Sequence, residues 1–136
     1  MAKGYDQHQE RLQALSLLGK ELARRAKSKC ELSGRAGVSL RPYEVEPAPK
    51  ESSLGHCLLI ADEVREVLER PSKMQASEWR GQLSELIWSE LPAQQVMVCR
   101  MLQYLALENP WAQNVIDEAY LDEEVLEWAN QAPLGK

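Results

Sequence analysis

Residues 92–107 read PAQQVMVCRMLQYLAL. Pro92 suits the first turn of a helix, where its missing N–H leaves nothing unpaired. Behind it, Val96, Met97, Val98, Cys99, Met101, Leu102, Leu105 and Leu107 place apolar side chains on nearly every side of that helix. A helix apolar all round belongs inside a core rather than on its surface. The segment therefore predicts a mainly helical domain assembled around it.

The flanking sequence supplies the partners. Asn109-Pro110 ends this helix and opens another, carrying Trp111, Val115 and Ile116. Residues 122–130 form the last, with Val125, Leu126 and Trp128 inward. On the other side, Asp62 is expected to cap a helix holding Val64, Val67 and Leu68, which Pro71 stops. Ser77 is expected to cap the next, with Trp79, Leu83, Leu86 and Ile87 as its apolar stripe. The chain has no phenylalanine. Trp79, Trp88, Trp111 and Trp128 are accordingly expected to be its large core side chains, with Trp88 largely buried like Leu102.

The first half of the chain reads differently. In residues 6–28, Leu12, Leu15, Leu18, Leu22 and Ala26 recur at helical spacing, which predicts one long helix. Gly34, Gly37, Pro42, Pro47 and Pro49 then interrupt any helix. Val38, Leu40, Tyr43 and Val45 are strand formers, and Cys57 through Ala61 is an apolar run of strand length. These two segments predict a small antiparallel hairpin with residues 47–55 as its loop. The expected fold is α+β and mainly helical: a helix over 6–28, a hairpin region over 29–61, and four to five helices over 62–131, in one domain spanning 1–136.

A chain of 136 residues can bury a sizeable core without disulfides. Cys30, Cys57 and Cys99 are too few and too scattered for a secreted disulfide scaffold. No apolar run reaches the roughly 18 residues of a membrane span, and the N-terminus leads into a charged amphipathic stretch unlike a signal peptide. A cytoplasmic location without a membrane partner is expected. The net charge of −5 divides unevenly: residues 1–41 hold nine Lys and Arg against four Asp and Glu, residues 42–136 seven against seventeen. The candidate anion-binding residues are Arg24, Arg25, Lys27, Lys29, Arg35 and Arg41. A basic last turn also simply complements a helix dipole. The acidic remainder opposes a long polyanion, so a protein partner is expected first, and weak nucleic-acid or anion binding is the alternative.

Catalytic signatures are sparse. His8 and His56 are the only histidines, and no nucleophile–base pair or phosphate-binding loop can be read. Asp122-Glu123-Glu124 lacks the spacing of a calcium loop. No catalytic residue and no cofactor is expected. The segment Cys30-Glu31-Leu32-Ser33-Gly34 has the form C-x-x-C-G with its second cysteine replaced by serine, whose hydroxyl is a poor zinc ligand near pH 7.

That segment, its continuation to Tyr43-Glu44-Val45-Glu46-Pro47, the run Ile87-Trp88-Ser89-Glu90-Leu91-Pro92-Ala93-Gln94-Gln95-Val96-Met97 and the run Tyr120-Leu121-Asp122-Glu123-Glu124 resemble the amino-terminal region of PhnA-like proteins, named from alkylphosphonate-utilisation operons. The resemblance implies a zinc-ribbon or treble-clef-like unit with ligands at positions 30, 33, 61 and 64. Here these are Cys30, Ser33, Ala61 and Val64, so three of four ligands are lost and no metal is expected. The resemblance also implies a carboxy-terminal β-domain, for which no counterpart is expected in residues 1–136. With no catalytic constellation beside it, the resemblance leads to the expectation of a non-catalytic binding protein. A phosphonate-related hydrolase is suggested by the family name alone.

Overall fold

The computed structural model describes residues 2–135. A long helix α1 (Ala2–Ala26) is followed by strands β1 (Leu40–Glu44) and β2 (Cys57–Ala61), then by helices α2 (Asp62–Glu69), α3 (Ala76–Leu86), α4 (Pro92–Leu105), α5 (Pro110–Ala119) and α6 (Glu123–Gln131). The fold is mainly helical α+β, as the patterning predicts. The strands pair antiparallel, Leu40 opposite Ala61 and Glu44 opposite Cys57. Pro42 is accommodated because a two-stranded sheet leaves β1 an open edge.

The continuous apolar run of β2 follows from its position. Successive side chains of a strand point to opposite faces. Cys57 and Leu59 pack with Leu22 of α1 on one side. Leu58 and Ile60 join the helices on the other. Both faces are covered, so every residue of β2 is buried. At the centre of the helical side lies α4, buried from Val96 to Leu102 without interruption. It contacts α3, α5, α6 and β2. No described helix is long and apolar enough to cross a membrane.

Several local expectations are corrected. α1 stops at Ala26 because Lys27 and Ser28 take left-handed backbone angles, φ 56° and 58°, two residues before the expected end. Asp62 is the first residue of α2 and Ala61 its N-cap; Gln75, not Ser77, precedes α3. Neither helix has a side-chain cap bond. α4 ends at Leu105, and Leu107 lies outside it, exposed. The tryptophans are not the deep core. Trp79, Trp111 and Trp128 lie half-buried on its margin, while Trp88 is 63% exposed. The core volume comes instead from Leu, Ile, Met and Val, among them Leu83, Ile87, Met97, Met101 and Leu102.

Ile87 is fully buried while its neighbour Trp88 points out, since α3 ends here and the chain turns toward Pro92. The two side chains should therefore respond oppositely to truncation from what residue size suggests. Ile87→Ala is expected to lower unfolding free energy by about 2–5 kcal/mol. Trp88→Ala is expected to change it by no more than about 0.5 kcal/mol. Urea denaturation of both variants checks this, and a large loss for Trp88→Ala would place that indole in the core.

Candidate functional site

The turn after α1 is built around two buried side chains. Glu31 is only 7% exposed. Its carboxylate takes two bonds from Arg25, Nε to Oε2 at 2.9 Å and Nη2 to Oε1 at 2.7 Å. Oε1 also accepts the Leu59 N–H at 2.8 Å. Arg25 reaches further, donating to the backbone carbonyls of Cys57 and Leu54. The Glu31 N–H donates to Leu59 O, and the Gln94 side-chain amide donates to Glu31 O. One residue thus joins α1, β2 and α4. Neither Arg25 nor Glu31 signals this role locally, since the pair needs the fold to bring both together with β2.

Cys30 is the second. Its Sγ accepts backbone N–H groups from Ser33 at 3.3 Å and from Ala61 at 3.4 Å. The turn closes through Gly34 N–H to Cys30 O and Cys30 N–H to Arg35 O, both 2.9 Å. Gly34 takes φ 78°, a conformation for which glycine is suited. Ser33 and Val64 meet across one small cleft of about 320 Å³, floored by Trp79 and Val67. Ser33 and Ala61 are thus tied to the Cys30 sulfur through their backbone N–H groups, and Val64, in the first turn of α2, belongs to the same buried core as Cys30 and Ala61. The donor set does not fit a zinc ion: one thiol, one hydroxyl, a methyl and an isopropyl group cannot make a tetrahedral thiolate or imidazole site. Among the described residues, no three His, Cys, Asp or Glu side chains converge in a metal-holding cluster.

The six candidate anion-binding residues differ in how far they are already engaged. Arg25 is committed to Glu31 and two backbone carbonyls. Arg35 pairs with Glu63, and Arg41 lies 3.4 Å from Asp62. These two pairs sit on exposed side chains at the entry to α2, where such contacts contribute about 0–1 kcal/mol. Arg24, Lys27 and Lys29 are exposed at the end of α1. Only these three keep an exposed position without an ion pair among the described residues.

The other cysteines are core residues. Burial raises both thiols, that of Cys99 to about 11, so they stay protonated near pH 7. His8 is exposed, and His56 packs at a tilt against Trp128, with ring centroids 4.7 Å apart and planes at 44°. Arg100, which the apolar pattern of α4 conceals, is 2% exposed. It donates to the carbonyls of Trp128 at 2.7 Å, Ala129 at 3.0 Å and Glu46. The signal available in the sequence was a single charge inside the most apolar helix.

No protein-family model, no curated protein and no solved structure matches this chain.

Removing one member of a buried ion pair leaves the other uncompensated, at about 3–5 kcal/mol. Arg25→Met is therefore expected to lose about that much stability, whereas Arg24→Met, one residue away, should remain within about 0.5 kcal/mol of the parent protein. Paired chemical denaturation curves check this. Equal effects would return Arg25 to the surface charge of the basic end.

Proposed function

We propose that this chain is a non-catalytic binding protein of PhnA-like type, whose knuckle, hairpin and following helix hold together without a metal ion. The observation that carries the reading is the Cys30 sulfur, which accepts N–H groups from Ser33 and Ala61, with Val64 in the same buried core. Backbone N–H groups aimed at a cysteine sulfur are the setting of a metal knuckle. Here the ligands around it have become packing and hydrogen bonding. An order of knuckle, hairpin and helix start fits the treble-clef-like unit that the resemblance implies.

A protein is the favoured partner. The acidic two thirds of the chain repels a long polyanion, and three of the six basic side chains are already engaged with carboxylates. Nucleic-acid binding would fall to Arg24, Lys27 and Lys29, a contact that fades steeply with salt.

The geometric half of this reading is tested by restoring the ligands. Ser33→Cys, Ala61→Cys and Val64→Cys together are expected to bind one cobalt(II) or zinc(II) per chain, with the ligand-field absorption of tetrahedral thiolate cobalt, while the parent protein binds none stoichiometrically. A folded triple variant without tetrahedral cobalt would contradict it. The partner half is tested by fluorescence anisotropy with labelled DNA and RNA at about 150 mM salt. Submicromolar affinity abolished by Arg24→Ala, Lys27→Ala and Lys29→Ala would replace the protein-partner reading with a nucleic-acid one.

A further inference from the structure

A cleft of about 540 Å³ opens between β1, α2, α4 and the segment 131–135. Its inner end is Arg100. This guanidinium is 2% exposed, yet every oxygen it meets belongs to the backbone: Trp128, Ala129 and Glu46. No carboxylate lies within ion-pair distance of it among the described residues. Nη1 has only a thioether as partner, Met97 Sδ at 3.6 Å. A buried cation held by carbonyl dipoles is still short of a counter-charge. Burial accordingly lowers its pKa from the ordinary arginine value, but leaves it far from neutral at physiological pH.

The rest of the cleft has a definite chemistry. Tyr43 lines it, a half-buried phenol that burial keeps protonated and therefore able to donate. Glu46 and Glu69, both exposed, stand at its rim. Leu68 and Leu134 give it apolar walls. By burial, Arg100 and Leu68 are the innermost lining residues, Tyr43 and Leu134 are half-buried, and the two carboxylates are outermost. A simple anion gains from Arg100 and is repelled at the entrance. A simple cation has the reverse difficulty. A molecule carrying both charges on one carbon, with an apolar branch, meets all three surfaces.

We infer that this cleft binds a small α-amino acid with an apolar side chain. The carboxylate faces Arg100 and Tyr43, the ammonium faces Glu46 and Glu69, and the side chain lies against Leu68 and Leu134. The volume lies within the range of small-molecule sites and exceeds what the charged head alone requires. This site is separate from the Cys30 turn and does not rest on the proposed function.

The test is a heteronuclear NMR titration of the whole protein with L-leucine. Isoamylamine lacks the carboxylate and 4-methylpentanoate lacks the ammonium; both serve as comparisons. L-leucine is expected to shift the Arg100 side-chain Nε–H, the Trp128 indole N–H and backbone amides of 131–135, saturating in the millimolar range or below. Each comparison compound should bind at least about 10-fold more weakly, the loss of one charge-assisted contact. Tyr43→Phe, which keeps the ring and the fold, should weaken L-leucine about 10-fold. Absence of shifts at about 10 mM L-leucine, shifts confined to other surfaces, equal binding of 4-methylpentanoate, or an unchanged affinity in Tyr43→Phe would each overturn the assignment.

Discussion

The Glu31 carboxylate is the joint on which the two halves of the molecule depend. It is a charge taken out of water, so it persists only with its lone pairs satisfied. Arg25 supplies two bonds from α1, and Leu59 supplies a third from β2. The same residue's backbone pairs with Leu59 and receives the Gln94 amide of α4. α1 packs on the opposite face of the sheet from the helical cluster, where buried Leu22, Cys57 and Leu59 are flanked by half-buried Leu15, Leu18, Ala23, Ala26, Leu40 and Leu54. Apolar packing by itself specifies the direction of a 25-residue helix only loosely. Two arginines add directional bonds, Arg25 to Glu31 and Arg11 to Glu44, and such pairs serve best to set register.

This joint and the Cys30 sulfur lie on consecutive residues. Together they tie the turn over residues 30–34 to the end of β2 through polar bonds to Leu59 and Ala61. A metal ion in such a turn would fix the same two segments relative to each other. Hydrogen bonds to Cys30 and Glu31, backed by a core that includes Leu32, Ile60, Ala61 and Val64, now do so. The turn is thus ordered with serine, alanine and valine at positions 33, 61 and 64. Arg100 acts in a parallel way at the far side of the fold, where it holds the last carbonyls of α6 and that of Glu46. Such carbonyls carry the negative end of the helix dipole.

The elements were legible where one physical signal dominated. The all-round apolar run of α4 and the five-residue run of β2 announce burial on every side, and both are buried so. Helix ends were less legible. Asp62 and Ser77 are good capping types, yet the chain enters both helices through residues that make no side-chain cap, because packing of the β2 end and of Met74 sets the entry. Trp88 misled for a related reason: residue size argues for burial, but only one of Ile87 and Trp88 can face inward at the end of α3, and the branched aliphatic does. The polar centres were the least legible. Arg25 looked like one of several basic residues at a helix end, and only the arrival of β2 and Glu31 beside it separates it from Arg24.

The central claim is that polar bonds around Glu31 and Cys30 hold the turn without metal. Native-state hydrogen exchange of the Glu31, Ser33, Leu59 and Ala61 amides, in chelator and again with added zinc, tests it most directly. The account predicts protection in chelator close to that of the Val98 to Leu102 amides of α4, unchanged by zinc. Exchange in chelator near the rate of an unfolded chain, restored to slow exchange by zinc, would contradict it.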